Sequence, residues 1–393
     1  MVSVHAPALG VGELFSLFGP DYIRDHRIPV QHRKTIFALQ HCRTSVLGGH
    51  IDQCNTCGHQ RIFYNSCRNR HCPKCQGLNR TKWSDQLSAK ILPVRYFHIV
   101  FTIPSELNRL VLVNQKCLYD ILFKAASESL LMLAKDKKHL HVQTGLVAVL
   151  HTWGQNLMEH PHLHTLVPAG GWNDFAQCWQ PSGKKFFIPV RILSAVFKGK
   201  FLALLKAAYK EGKLIFEGEI KPLRLKNNFK QLLDSVYQKD WVVFAKKPFK
   251  NASHIINYLG RYTHKVAISN DRIRGVEGDQ VFFTWKDYKN RSEKKTMKIA
   301  GSEFIRRFLL HVLPKGLCKI RYYGIFASRT SKPILAMCRK ALRIDAAKPT
   351  FTGLSWKDAL FLATGKDITI CPECTNGKME LMYFYKSLRP PPT

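Results

Sequence analysis

The sequence predicts an α+β fold in which a small cysteine-rich segment precedes a mostly antiparallel sheet with packed helices. Three observations lead to it. From about residue 81 to 330, β-rich runs alternate with helical runs and short hairpins. Six cysteines are concentrated between residues 41 and 80, where apolar periodicity is weak. The hydrophobic content of 45% over 393 residues is that of a globular protein, with enough chain for two or three domains.

Four segments follow from this pattern. Residues 1–40 hold two predicted helices joined at "GPD", and residues 41–80 form the cysteine-rich segment. Residues 81–335 form the main α+β domain. Residues 336–393 form a basic tail that carries a "CPEC" pair and a proline-rich end.

Periodicity assigns the elements of the main domain. The predicted strands are "YFHIVFTIP", "GLVAVLHTW", "HLHTLVPAGG", "WVVFAKKP", "KVAISN" and "QVFFTWKDY". The predicted helices are "ELNRLVLVNQKCLYDILFKAASESLLMLAK", "KGKFLALLKAAYKEGK", "ASHIINYLGRYTH" and "SEFIRRFLLHVL".

The charge balance indicates a polyanionic partner. Sixty-one lysines and arginines against 27 acidic residues give a formal net charge of +34. A ribosome-like or membrane-surface protein is the alternative, but basic residues spread along the whole chain favour an extended nucleic-acid channel. There is no signal peptide and no apolar run of about 18 residues, so we expect no membrane partner and a cytoplasmic protein.

The cysteines predict zinc. Twelve cysteines in a chain without an export signal favour metal thiolates over disulfides. The "CNTC" pair (Cys54, Cys57) and the "CPKC" pair (Cys72, Cys75) can surround one zinc ion. The further candidates Cys42, His50, His59, Cys67 and His71 are enough for a second site, of which Cys42, Cys67 and His71 are the predicted ligands. We therefore expect one or two structural zinc ions.

Two features of the cysteine regions have more than one interpretation. The basic loop "SCRNRHCPKC" offers Arg68 and Arg70 as contacts for DNA phosphates. The tail pair, Cys371 and Cys374, is half a zinc site, which distant residues complete or which is an ordinary surface pair.

Histidines recur in "LHTWGQNLMEHPHLHTLVPAGG", residues 150–171. Alternation along a strand puts His160, His162 and His164 on one face, but one strand can bring only two neighbouring imidazoles to one metal ion. The connection "GQNLMEHP" can fold back as a hairpin, which places His151 opposite His162 and His164. Such a three-histidine face leaves coordination positions open, as a catalytic metal requires, although purely structural histidines are the alternative. His160 then has a supporting role or none.

Two tyrosines occupy one face of a predicted helix. Tyr258 and Tyr262 are four residues apart in "NASHIINYLGRYTHK", so their hydroxyls lie about 6 Å apart. Ile255 and Leu259 continue the same stripe, and simple packing against a sheet is therefore an alternative. Gly260 allows a close approach to a neighbouring element.

These motifs together resemble a known family. The histidine stretch resembles the HUH motif of rolling-circle nucleases, in which two histidines flank a bulky apolar residue. The chain from about residue 10 to 345 is similar to the insertion-sequence ninety-one family of transposases. The matching blocks are "HCRTSVLGGHIDQCNTCGHQRIFYNSCRNRHCPKCQ", "RYFHIVFTIP", the histidine stretch, "YLGRYTHKVAISNDRI", "FTWKDY" and "FLLHVLPKGLCKIRYYGIFA".

The resemblance implies an HUH-nuclease-like antiparallel sheet and a transposase that nicks and rejoins single-stranded DNA in rolling-circle transposition. Tyr258 and Tyr262 would be the nucleophiles, each leaving a 5′-phosphotyrosine and a free 3′-hydroxyl. His151, His162 and His164 would hold magnesium or manganese, although imidazole ligation by itself favours zinc, cobalt or manganese. The partners would be single-stranded transposon ends and target DNA. No nucleotide cofactor is needed, because the covalent link conserves the bond energy.

The sequence also allows other interpretations. Arg261, Lys265 and Arg272, near the tyrosines, hold the DNA backbone or form a solvated basic face. A plasmid replication initiator or relaxase shares the chemistry, but no helicase P-loop is present. A non-enzymatic zinc-dependent DNA-binding protein is the alternative from another class. As a bacterial transposase, the chain would associate with the nucleoid when bound to DNA.

Overall fold

A computed structural model of the chain describes residues 9–246, 256, 260, 267–287, 290, 292–328 and 331–387. The predicted α+β class is confirmed, because the strands of this part pair antiparallel and helices pack on the sheets. Within the same part, no helix combines the length and the apolar character needed to cross a membrane.

The elements follow one another in mixed order. The strands are β1 (Gly49–Cys54), β2 (Gln60–Tyr64), β3 (Tyr96–Thr102), β4 (Gly145–Trp153), β5 (Glu159–Pro168), β6 (Gly170–Asn173), β7 (Cys178–Pro181), β8 (Val243–Ala245), β9 (Ile273–Glu277), β10 (Gln280–Asp287), β11 (Glu293–Ala300), β12 (Ile320–Gly324) and β13 (Met379–Tyr385). The helices are α1 (Val11–Asp25), α2 (Val30–Gln40), α3 (Gln76–Lys90), α4 (Asn108–Val113), α5 (Gln115–Lys135), α6 (Val190–Lys210), α7 (Lys226–Gln238), α8 (Gly301–Leu309), α9 (Ser331–Leu342) and α10 (Trp356–Thr364).

The central sheet has five strands in the order β12-β4-β5-β3-β8. Alternation along its strands separates two faces. On one face, Phe101 of β3 and Leu163 of β5 join the largest apolar core, together with Leu122 of α5 and Phe197 of α6. The next residues along β5, on the opposite face, include His164. Helices α5 and α6 therefore cover one side of the sheet. The other side carries the histidines and, further along the same two strands, Val147 and Leu166, which are buried with Leu87 of α3.

A second sheet, ordered β11-β10-β9, carries a separate core. Phe283 of β10 packs against Phe304 of α8, and the rings of Phe15 in α1 and Phe308 in α8 meet edge to face at 5.0 Å. The N-terminal helices are thus attached to this second core. The predicted strand "KVAISN" is wrong over residues 267–270, which form no strand, and its first two residues lie outside the described part.

The N-terminal segment has the two predicted helices, but they are not joined at "GPD". Helix α1 continues through Pro20 and ends at Asp25. Pro20 is exposed, while Phe15 and Tyr22, on either side of it, are buried. Burial of this apolar stripe outweighs the hydrogen bond that proline removes.

The tail does not run free of the rest of the chain. Its last strand, β13, pairs antiparallel with β1, so that a small sheet is ordered β13-β1-β2. Leu335 and Cys338 of α9 are buried in a third apolar cluster with Leu87 of α3. The division into four segments stays a prediction, but the last segment is in contact with the second.

Candidate metal centres

Two paired strands bring three histidines together on the face of the central sheet opposite α5 and α6. His151 of β4 lies directly across from His162 of β5, and His164 is the next residue of β5 on the same face. The ring centroid of His151 is 5.3 Å from that of His162 and 4.3 Å from that of His164. One nitrogen from each ring lies within 4.8 Å of the others. The structure therefore brings together the three histidines that the sequence predicts as metal ligands.

The separation of two of these nitrogens suits a metal ion. Nε2 of His162 and Nε2 of His164 are 3.0 Å apart. Two ligands at right angles on an octahedral ion, with bonds of about 2.1 Å, lie about 3.0 Å apart. The donor set and its spacing thus fit a divalent cation.

Hydrogen bonds at the Nδ1 atoms of His162 and His164 determine which ring nitrogen carries the lone pair for a metal ion. Nδ1 of His162 lies 2.6 Å from the backbone carbonyl of His160, to which it donates, so that Nε2 of His162 carries the lone pair. Nδ1 of His164 lies 2.7 Å from Nε2 of His98. Burial lowers the pKa of His162 to about 3 and that of His164 well below its ordinary value, so both rings are neutral at pH 7. Neutral imidazole is the form that binds metals.

His98 is a residue that sequence reasoning missed. It lies in β3, 1% exposed, and its ring is parallel to that of His164. The available signal was a histidine within the otherwise apolar run "YFHIVFT", where a buried polar group requires a partner.

His160 is not one of the three clustered histidines. Its ring centroid is 4.8 Å from that of His162, but its side chain is exposed. Its backbone carbonyl orients His162, which any residue at position 160 can do. The fourth histidine of the motif thus has a backbone role in the structure.

The turn between β4 and β5 is held from outside the sheet. Leu157 at its tip has a φ of 62° and is fully buried. His311, just beyond α8, donates from Nε2 to the carbonyl of Leu157, and its Nδ1 accepts from the hydroxyl of Thr152. Arg307 donates to the carbonyl of Asn156 over 3.1 Å. These contacts fix the hairpin on which the pairing of the histidines depends.

The tyrosines Tyr258 and Tyr262 lie outside the described residues. Two helical neighbours in the same run are described. Ile256 is buried in the cluster that includes Leu87 of α3. A Cβ on Gly260 would come within 2.7 Å of Oγ of Ser84, so the predicted close approach at this glycine is present.

Four cysteines of the N-terminal region form one sulfur cluster: Cys42, Cys67, Cys72 and Cys75. Sγ of Cys75 lies 3.4 Å from Sγ of Cys42 and 3.6 Å from Sγ of Cys67. Cys42 follows α2, and Cys75 is the N-cap residue of α3, where the helix dipole favours a thiolate. Contact with Cys67 and Cys72 lowers the pKa of the Cys42 thiol to about 7. Four thiols at this spacing fit a tetrahedral zinc ion.

The predicted grouping of the two N-terminal pairs is wrong. Cys54 and Cys57, at the turn between β1 and β2, do not join Cys72 and Cys75. They meet the tail residues Cys371 and Cys374. The spacing C-x-x-C fixes a local turn but does not determine which second pair it meets.

His71 and Arg70 have structural contacts in place of their predicted roles. His71 is buried, its Nε2 accepts from the backbone N–H of Leu313, and its Nδ1 is 3.1 Å from Oδ1 of Asn69, so it is not a member of the sulfur cluster. The guanidinium of Arg70 donates to the carbonyls of Leu313, Pro314 and Leu317. Both side chains thus bind the turn that precedes β12.

The remaining predicted DNA contacts differ in accessibility. Arg68 is exposed. Arg272 is directed inward, donating to the carbonyls of Thr284 and Gln155, which corrects its prediction as a phosphate contact. Arg261 and Lys265 lie outside the described residues. His50 and His59 are absent from the described metal-ligand clusters.

The chain is similar to known proteins over nearly its whole length. Residues 145–333 match the family described as "Putative transposase", and residues 14–103 match the family described as "Transposase zinc-binding domain". The chain is 41% identical over 385 residues to "Putative transposase y4qJ" of Sinorhizobium fredii, which covers 97% of each chain. It is 26% identical over 324 residues to "Transposase for insertion sequence element IS801" of Pseudomonas savastanoi pv. phaseolicola, covering 81% of this chain and 75% of that one. No solved structure is significantly similar.

Proposed function

This chain belongs to the insertion-sequence ninety-one family of transposases, and we propose that it nicks and rejoins single-stranded DNA through 5′-phosphotyrosine intermediates in rolling-circle transposition. One observation supports this proposal above the others. Three neutral imidazoles from two paired strands converge on one face of the central sheet, on which a divalent ion fits.

His151, His162 and His164 would bind the metal ion, and the pairing of β4 with β5 keeps the three side chains in position. His151 and His164 are buried, while His162 is partly exposed, so the face opens to solvent at the end of β5 nearer His160. A magnesium or manganese ion bound there would polarise the scissile phosphate and stabilise charge that develops on its oxygens.

Tyr258 and Tyr262 are the proposed nucleophiles. The phenol oxygen of one tyrosine forms a bond to phosphorus, the bond from phosphorus to the 3′ oxygen breaks, and the phenol proton is transferred to solvent or to the leaving oxygen. The 3′-hydroxyl can later attack the phosphotyrosine in the reverse reaction, so joining consumes no ATP. The described neighbours Ile256 and Gly260 both lie against α3, which supports the proposal that this part of the chain acts beside the main domain.

The proposed DNA partner is supported by the charge of the chain. A formal net charge of +34 favours binding along a phosphate backbone, with release as the salt concentration rises. Three of the predicted phosphate contacts are described. Arg70 and Arg272 donate inward to backbone carbonyls, whereas Arg68 is exposed and can reach a phosphate.

A covalent-adduct assay tests the proposal. The full chain is incubated with end-labelled single-stranded DNA from the element's ends and with manganese, then separated on a denaturing gel. We expect a slowly migrating protein–DNA adduct that the Tyr258→Phe, Tyr262→Phe double variant does not form. Tyr237→Phe, at a tyrosine that is 59% exposed, is the matched control and should form the adduct normally.

The opposite outcome has a clear meaning. If wild-type protein binds the DNA but forms no adduct with magnesium, manganese or zinc, the chain is a zinc-dependent DNA-binding protein without the cleavage chemistry. If the double variant still forms the adduct, another residue is the nucleophile.

A further inference from the structure

We infer that Cys371 and Cys374 of the tail complete a second structural zinc site with Cys54 and Cys57, joining the two ends of the chain through one metal ion. The matched zinc-binding region covers residues 14–103 and includes only one of these pairs. The tail pair lies more than 300 residues further along the chain.

The sulfur atoms are spaced for a tetrahedral ion. Sγ of Cys54 lies 3.6 Å from Sγ of Cys374, and Sγ of Cys57 lies 3.7 Å from Sγ of Cys371. Four sulfurs about 2.3 Å from one zinc ion lie about 3.8 Å apart. A disulfide requires about 2.05 Å, so neither pair is bonded. The spacing fits a shared metal ion.

The two pairs have the same local backbone. The N–H of Gly58 donates to the carbonyl of Cys54 over 3.1 Å, and the N–H of Thr375 donates to the carbonyl of Cys371 over 3.1 Å. Gly58 and Thr375, each following the second cysteine of its pair, have φ values of 73° and 57°. Each pair therefore forms the same tight turn, which is repeated at opposite ends of the chain.

Backbone N–H groups point at the sulfurs. Thr56 and Cys57 donate to Sγ of Cys54 over 3.4 and 3.5 Å, and Gly377 donates to Sγ of Cys374 over 3.3 Å. Donors of this kind stabilise the negative charge of a thiolate, the form that binds metal.

The tail approaches too closely to be a chance neighbour. A Cβ on Gly377 would lie 2.2 Å from Sγ of Cys54. Next to it, Asn55 and Lys378 exchange hydrogen bonds, from the N–H of Asn55 to the carbonyl of Lys378 and from the N–H of Lys378 to Oδ1 of Asn55. The tail is thus fitted to the turn between β1 and β2.

Apolar packing does not account for this contact. Among the described residues, the buried cluster at this contact consists of Cys54, Cys371 and Met379, with Cys374 partly buried. Large side chains of β13 are exposed, among them Phe384 at 66%. So small a core supplies little free energy of folding, and a bound metal would supply the remainder.

Zinc content measured on the full chain tests the inference. The tail variant Cys371→Ser, Cys374→Ser should hold one zinc ion per chain fewer than the wild type, by elemental analysis and native mass spectrometry. The matched control Cys178→Ser, Cys318→Ser changes two exposed cysteines outside both clusters and should lose none. A tail variant that retains the wild-type zinc content would overturn the inference.

Thiol labelling of the wild type provides a second readout that does not depend on a variant folding. In zinc-loaded protein, Cys371 and Cys374 should resist alkylation as Cys54 and Cys57 do, and a strong chelator should expose all four together. Cys318, which is exposed, should react at all times. Reaction of the tail pair at the rate of Cys318 before chelation, or recovery of the pair as a disulfide, would overturn the inference.

A glycine variant tests the close approach itself. Gly377→Ala forces the tail away from Sγ of Cys54 and should release one zinc ion to a chelator faster than the wild type does. Gly183→Ala, where an added Cβ has no neighbour within 4 Å, should release zinc at the wild-type rate. Equal rates for both variants would mean that the tail does not contribute ligands.

Discussion

Nε2 of His98 lies 2.7 Å from Nδ1 of His164, between two adjacent strands of the central sheet. The two rings are nearly parallel, at 4°, and both residues are buried. With Nε2 of His164 bound to a metal, Nδ1 of His164 would carry the proton and donate a hydrogen bond to Nε2 of His98. His98 would thereby fix the orientation and the tautomer of a metal ligand without touching the metal.

Replacing His98 should therefore weaken metal binding more than it weakens folding. His98→Leu removes the acceptor, and we expect a loss of about 10- to 100-fold in manganese affinity and in adduct formation. His98→Gln keeps an acceptor oxygen and should restore part of both. Calorimetric titration with manganese measures the affinity, and the thermal midpoint reports the fold. Equal manganese affinity in the wild type and in His98→Leu would show that the hydrogen bond between His98 and His164 does not support metal binding.

The neighbouring histidines of β5 offer a matched pair. His162→Ala removes a predicted ligand, and its effect on adduct formation should exceed the 10- to 100-fold range typical of residues that only support a ligand. His160→Ala keeps the backbone carbonyl that accepts from Nδ1 of His162 and should change activity little. Adduct yields at saturating and limiting manganese measure both. Equal losses at the two positions would place His160 among the ligands.

Arg70 and Arg68 should separate fold from DNA binding. Arg70→Ala removes a donor from the carbonyls of Leu313, Pro314 and Leu317, of which Pro314 keeps the N–H of Leu317, and should lower the free energy of unfolding by roughly 2 kcal/mol. It should leave unchanged the slope of DNA affinity against salt concentration. Arg68→Ala should reduce that slope by about 1 if Arg68 contacts a phosphate, without changing the thermal midpoint. A reduced slope for Arg70→Ala in a fully stable protein would contradict the assignment.

The sequence predicted features that depend on local geometry. His151, His162 and His164 were placed correctly because period-two alternation and a short connection determine which residues of a hairpin face each other. The partner of Cys54 was not predictable, because Cys374 follows it by 320 residues and the C-x-x-C spacing is the same for every pair. Helix α1 passes through Pro20 because tertiary burial outweighs local propensity. His98 was missed because its role depends on a contact with another strand.

His311 should make stability depend on pH in a defined window. Burial lowers its pKa from 6.5 to about 4, where it is held by Thr152 and Leu157. Between these values the unfolded chain binds a proton that the folded chain excludes, so stability falls as the pH is lowered from 6.5 to 4. Through His311 alone, lowering the pH from 7 to 5 should reduce the free energy of unfolding by about 2 kcal/mol.

His311→Gln removes this pH-dependent part of the free energy of unfolding but keeps a donor for the carbonyl of Leu157. At pH 7 the variant should be the less stable protein, because Thr152 loses its partner. The difference in thermal midpoint from the wild type should then narrow as the pH falls to 5, since only the wild type loses the His311 contribution. His26→Gln, at an exposed histidine, is the control and should track the wild type throughout. A constant difference between His311→Gln and wild type from pH 7 to pH 5 would mean that His311 can be protonated in the folded chain, and that the turn between β4 and β5 opens to admit the charge.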